Sequence, residues 1–291
     1  MITLVLTQLS ITNSQLSALS GELPKSDGIK VVDSSITVED TTISNLDLNF
    51  LYLITGRFDI SNTTFSSSNS SLPFLFMIHG SDGTIRNSRF DSVLSDGSQS
   101  IKLSLSDLEI SNTTFSDSKR IHTSESTLLI SNCTFQEQPE AIKSLKSKMT
   151  ITDSNFTMLG EIEGETGLSA ETQGNALSLT DSKEIRVETS RFVGSKGTPI
   201  FVSNSEDKSK QTQISNCTFE DNHSSSQGGA ILYDHFPPLI EDCSFTNNSA
   251  PYGENIASYP VKMKMKVNDG DWTEDFKIEG AISGQSLNST V

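Results

Sequence analysis

The chain has 291 residues, 34% of them hydrophobic, and carries 21 Lys and Arg against 37 Asp and Glu, a net charge of −16 with a pI near 4.6. A surface that acidic repels phosphate backbones and bare anionic membranes, so nucleic acid is disfavoured as a partner while divalent cations and basic surfaces stay open. The longest apolar stretch, Leu72 to Ile78 with Pro73 inside it, is far too short for a membrane-spanning helix.

Low hydrophobicity and abundant Ser, Thr and Asn would suit a disordered chain, but one phrase recurs ten times and argues against it. It runs apolar, any residue, Asn or Asp, small, any residue, then an apolar residue that is usually Phe. Two weaker copies open the chain, Ile11-Thr-Asn13-Ser14-Gln-Leu16 and Val38-Glu-Asp40-Thr41-Thr-Ile43. The next five end on Phe65, Phe90, Phe115, Phe135 and Phe156, with Asn62, Asn87, Asn112, Asn132 and Asp153 at the third position. The last three end on Phe192, Phe219 and Phe245, with Thr189, Asn216 and Asp242 in the same place.

Successive copies are spaced by 27, 22, 25, 25, 20, 21, 36, 27 and 26 positions, the size of one solenoid coil. Apolar and polar residues alternate on each side of the Asn, which is strand periodicity rather than a 3.6-residue helical one. The Asn marks a corner, because Asn and Asp tolerate the left-handed backbone that β-branched residues resist. The spacing therefore predicts an all-β, right-handed parallel β-helix of about ten coils over residues 1–259. A leucine-rich repeat would need a dense Leu motif in every unit, and none is visible. Coils stacked at about 4.8 Å place each Phe over the next, and the corner Asn amides are predicted to stack and hydrogen-bond along the axis.

Three stretches depart from the repeat. The 36-residue spacing between Phe156 and Phe192 predicts one coil with an extended, acidic, Gly-rich loop over 159–174. Ser205 to Lys210 reads as a charged turn. After Pro260, Val261 to Val267 alternates as a strand, Asn268-Asp-Gly270 is a hairpin turn, and Asp271 to Ile278 returns, so 260–279 is predicted as a capping hairpin with a lysine-studded edge. Residues 280–291 read as the start of a further module, and the chain as part of a longer polypeptide.

Cys133, Cys217 and Cys243 all fall two positions before the Phe. Cys217 and Cys243 occupy neighbouring coils, and the spacing suits a disulfide, but parallel side chains give poor torsion geometry. Buried free thiols, interchangeable with Thr63, Ser88 and Ser154, are the favoured reading. Acceptors for N-glycosylation occur at Asn62, Asn69, Asn112, Asn132, Asn155, Asn216, Asn222, Asn247 and Asn288. Four of them are the corner Asn itself, and the others fall in predicted loops where a glycan would fit. That density points to an extracellular or cell-surface setting, although Met1 to Ser10 lacks the charged start and long apolar core of a signal peptide.

Chemistry is sparse. Glu161, Glu163 and Glu165 could line one side of an extended loop and bind Ca²⁺, but a solvated acidic loop is the commoner outcome. His79, His122, His223 and His235 are far apart, without metal-ligand spacing, and most are predicted to be exposed. Arg57, Arg86, Arg89, Arg120, Arg186 and Arg191 are scattered, with Arg86 and Arg186 at outward phases. No nucleophile elbow and no phosphate-cradling loop appears, so neither a catalytic set nor a cofactor is predicted. Tyr233, Tyr252, Tyr259 and Trp272 gather toward the C-terminal end.

The motifs Phe219-Glu-Asp-Asn222, Gly228-Gly-Ala-Ile231 and Phe245-Thr-Asn-Asn248 resemble the paired F-x-x-N and G-G-A-I motifs of chlamydial polymorphic outer membrane proteins, which are β-helical surface adhesins. Gly174-Asn-Ala-Leu177 resembles a degraded copy. The stretch Asn248 to Pro260, followed by Ile282-Ser-Gly-Gln-Ser-Leu-Asn288, is similar to very large pectin-lyase-like surface proteins of ciliated protists. Both resemblances imply a non-catalytic adhesive or structural segment, with surface proteins or glycans as partners. The fold also resembles that of polysaccharide lyases and hydrolases, which leaves a carbohydrate-active enzyme as the alternative. Several carboxylates and an Arg converging in one groove across neighbouring coils would overturn the adhesive reading in favour of that alternative.

Overall fold

The computed structural model describes residues 2–5, 8–17, 29–44, 50–70, 76–95, 99–160, 174–203, 212–234, 236–258, 262–263 and 276–277. The predicted Glu161, Glu163 and Glu165 site, Ser205 to Lys210 and residues 280–291 lie outside them, as do His235, Tyr259 and Trp272. The described residues contain no helix. They form three parallel sheets of 11, 10 and 10 strands, and consecutive strands of one sheet lie three strands apart in the chain. Each coil thus contributes one strand to each sheet in turn, as in Leu51–Ile54, Arg57–Ser61 and Thr64–Ser70. The expected right-handed parallel β-helix is the architecture. Lys262–Met263 pairs antiparallel with Phe276–Lys277, within the stretch read as a hairpin.

The recurrent phrase is the corner between the second and third sheets. Its third residue has positive φ in all ten copies, from Thr189 at 47° to Asn216 at 53°. The residue before it ends the second-sheet strand, and the Phe lies in the third sheet. Phe65, Phe90, Phe115, Phe135, Phe156, Phe192, Phe219 and Phe245 stack with centroids 4.7–5.1 Å apart and interplanar angles of 2–14°. Phe156 pairs directly with Phe192, so the 36-residue spacing is one coil with an insertion. The rings are buried except Phe245, which is half-buried. Burying a side chain of this size contributes about 1.5–3 kcal/mol.

The amide ladder differs from the expectation. Asn112 Nδ2 donates to Asn87 Oδ1 at 3.2 Å and Asn132 Nδ2 to Asn112 Oδ1 at 2.6 Å, but Asn62, Asn87, Asn112, Asn132 and Asn216 are all exposed. A left-handed corner turns its side chain to solvent, so these amides are not buried groups in need of partners. The buried ladder is built by the next residue. Ser88 Oγ donates to the Arg86 carbonyl at 2.8 Å and accepts the Thr63 N–H of the preceding coil at 3.2 Å. Ser154 repeats this with the Thr152 carbonyl and the Cys133 N–H.

A second corner, between the first and second sheets, uses the same device without the same letters. Asp33, Thr55, Gly80, Leu105, Glu125, Lys146 and Asp181 have φ of 47–57° there. Leu105, a corner residue, is 55% exposed. The serines that follow relay along the axis, with Ser81 N–H donating to Ser106 Oγ at 3.2 Å and Ser106 N–H to Ser126 Oγ at 3.1 Å.

The F-x-x-N motif forms the third corner. Asn222 is fully buried, its Nδ2 donating to the Phe192 carbonyl at 3.1 Å and its Oδ1 accepting the Ser195 N–H at 3.0 Å. Asn248 repeats the pattern one coil on, donating to the Phe219 carbonyl and accepting the Asn222 N–H. Asn222 was read as a loop acceptor for a glycan; burial at the core's edge closes it to an oligosaccharide. In G-G-A-I, Gly228 has φ +61° and a Cβ there would meet the Ile231 carbonyl oxygen at 2.5 Å, while one on Gly229 would meet the Glu254 oxygen at 2.0 Å. Both glycines therefore serve backbone packing at the approach to the first sheet.

Replacing Phe135 by Ala opens a cavity bounded by two rings, and is expected to cost about 3–5 kcal/mol in urea denaturation. Gly83 makes a sharper test, since a Cβ there would lie 2.0 Å from the Phe58 ring. Gly83→Ala should destabilise by about 1–3 kcal/mol, and the double variant with Phe58→Ala should show a smaller loss than the sum of the two single changes.

Candidate functional site

Inward residues of the second sheet are apolar, and its outward residues write a different pattern. Strand registers align Ser35, Arg57, Asp82, Asp107 and Thr127 in one outward column. Thr37, Asp59, Thr84, Glu109 and Leu129 form the next, and Glu39, Ser61, Arg86 and Ser111 a third. The first two columns and Arg86 of the third line a groove of about 490 Å³ that crosses several coils. Four carboxylates and two guanidiniums meet there. The arginines read as scattered are therefore brought together: Arg57 and Arg86 are twenty-nine positions apart in sequence but lie on adjacent coils.

Asp59 sits at the centre of the groove. Its Oδ1 accepts the Thr84 hydroxyl at 2.6 Å, and its Oδ2 pairs with Arg86 Nη2 at 3.0 Å. Both partners of the ion pair are more than two-fifths exposed, so it adds at most about 1 kcal/mol to stability. Its consequence is orientation, because three side chains on two rigid strands are fixed relative to one another. Asp82, Asp107 and Glu109 are exposed. Asp82 and Asp107 are register partners, which sets two carboxylates side by side and favours a cation or a hydroxyl donor between them. Below the groove, Gly83 leaves room for the Phe58 ring, so the groove floor is shaped by a core contact.

The first sheet carries the opposite charge. Lys102, His122 and Lys143 align outward on consecutive coils. His122 is half-buried, and its Nδ1 is buried without a hydrogen-bond partner. Burial, then Arg120, Lys143 and Lys102, push its pKa from 6.5 down to about 4. Arg120 pairs with Glu140, whose side chain is 2% exposed. His223 is exposed, with Nδ1 2.6 Å from Ser249 Oγ, and His79 is half-buried. Among the described residues no three His, Cys, Asp or Glu side chains gather as metal ligands.

All three cysteines occur as free thiols on the hydroxyl ladder. Cys133 Sγ lies 3.3 Å from the Ser131 carbonyl, where Ser88 and Ser154 place their hydroxyls. Burial raises the Cys133 thiol to about 11.

These features define a parallel β-helix with chemistry confined to outward faces. The model of the right handed beta helix region matches residues 5–157 and 146–259, and the chain belongs to that family. No curated protein matches the sequence. The fold is similar to that of the Streptococcus pneumoniae surface protein and adhesin PfbA, with 13% identity and a TM-score of 0.43 over 86% of this chain and 91% of that one. It is also similar to the catalytic domain of a GH87 alpha-1,3-glucanase solved with tetrasaccharides, with 11% identity and a TM-score of 0.30, covering 89% of this chain and 64% of that domain. Neither likeness assigns an activity. Among the described residues no helix is long and apolar enough to cross a membrane.

His122 gives the fold a pH dependence. It is neutral in the folded chain down to about 4 and protonates near 6.5 once exposed, so between those values the unfolded chain binds the extra proton. Its contribution is complete above about 6.5 and is lost as pH falls toward 4. Urea midpoints measured across that window should fall less steeply for His122→Gln than for the parent chain.

Proposed function

We propose that this chain is a non-catalytic structural and adhesive β-helix segment of a large extracellular or cell-surface protein, and that the groove of the second sheet is its binding face. The observation that carries this reading is Asp59 held by Thr84 and Arg86. A fixed carboxylate and guanidinium flanked by the Thr37 and Thr84 hydroxyls suit the alternating donors and acceptors of a glycan. Exposed sequons at Asn62, Asn112, Asn132, Asn155, Asn216 and Asn247 support the same setting, since glycans would project from the corners.

A second reading has its own support. The groove gathers several carboxylates and two arginines from neighbouring coils, the residue types of a carbohydrate-active enzyme. Incubation with a panel of acidic polysaccharides, with and without Ca²⁺, separates the two. Retention on one of them without new unsaturated or reducing ends supports the adhesive reading, and Asp59→Asn with Arg86→Gln should weaken that retention at least about tenfold. Product that disappears in the same variant would establish the enzyme instead. Neither retention nor product would leave the groove without a glycan role.

A further inference from the structure

Cys217 and Cys243 stand on neighbouring coils at the same corner. Their flanking residues are register partners, Thr218 with Ser244 and Phe219 with Phe245, and the Ser244 N–H donates to the Cys217 carbonyl at 2.9 Å. Adjacent parallel strands set Cα atoms about 4.8 Å apart, inside the range a disulfide spans. The two thiols are not equivalent. Cys217 is buried within the ladder, its Sγ 3.2 Å from the Ser215 carbonyl, whereas Cys243 is half-buried. Cys243 also joins Leu239–Glu241 to Ser244–Thr246, the outermost strands of the second and third sheets. Among the described residues each of those strands is hydrogen-bonded to one neighbour, Leu239–Glu241 to Gln213–Ser215 and Ser244–Thr246 to Thr218–Glu220. Cys133 has no such partner: it is buried between Thr113 and Ser154, with no thiol on either side.

We propose that Cys217 and Cys243 form a redox-active pair, in which Cys243 attacks a small-molecule disulfide and Cys217 resolves the product into a disulfide that staples two coils. In the first step the Cys243 thiolate bonds to one sulfur of the reagent, the reagent's S–S bond breaks, and one thiolate leaves. In the second, Cys217 gives its proton to solvent and its sulfur attacks Cys243 Sγ, releasing the second thiolate. The pair loses two electrons and two protons, and the reagent is reduced to two thiols. The surroundings favour that order of attack. The Cys217 thiol, as a hydrogen-bond donor, holds Cys243 down to about 7 against its own burial and the charge of Asp242, while the same contact and burial hold Cys217 up. A lowered thiolate that solvent can reach is the nucleophile in such exchanges.

The test is intact-mass analysis of the whole chain during exposure to oxidised glutathione. Serine occupies this ladder position naturally at Ser88, Ser154 and Ser190, so Cys217→Ser and Cys243→Ser should fold. The parent chain should lose two hydrogens and retain no adduct, Cys217→Ser should retain one glutathione on Cys243, and Cys243→Ser should react at least about tenfold more slowly. The proposal fails if the parent chain accumulates an adduct as stable as that of Cys217→Ser. It also fails if Cys243→Ser reacts as fast as the parent, or if Cys243 does not react.

Discussion

The structure depends on what happens to one backbone N–H at each corner. The left-handed residue turns the chain, and the next residue's amide points inward at a place where the strand ladder supplies no carbonyl. A buried amide without a partner costs about 1–3 kcal/mol, and a coil has several such places. The answer is a hydroxyl from the following coil, held by its own donation to the carbonyl two residues earlier, as Ser88 does for Thr63. Where this bond forms the acceptor comes from the neighbour, as it also does for Ser106 on Ser126 and Ser154 on Ser190, so these coils do not satisfy their corners alone. The need to stack is thus written into polar groups as well as into the phenylalanine column.

This division explains what could be read in the sequence. The second corner was legible because Asn or Asp at the turn, a small residue after it and Phe in the strand are each demanded by a local contact. The first corner was not. Its left-handed positions hold Thr55, Leu105, Glu125 and Lys146 as well as Asp and Gly, because their side chains lie outside the core and no single side-chain type is demanded there. The same exposure misled the reading of the corner amides: a position chosen for its backbone was credited with a buried side chain. Asn222 erred the other way, since its neighbours Asp221 and His223 have the polarity of a loop while its amide lies in the core.

The charged groove was illegible for a different reason. Outward positions carry no periodic signal, and proximity between them follows from register. Arg86 meets Asp59 only because Asp82–Arg86 lies beside Arg57–Ser61 without a slip. A single residue added to the intervening coil within a strand would turn Asp59 inward and dissolve the groove. Function in such a scaffold is therefore specified twice: by the outward residue, and by the length of every strand that aligns it.

The hydrogen bonds that hold one coil to the next all run along the axis of the stack. A pull applied at one end in that direction does not load them together. It bears first on the outermost of the described coils and reaches the next when that coil has gone. Mechanically the molecule behaves as a series of fuses, each a coil in length, that dissipate force one after another and leave the remaining stack with its groove intact.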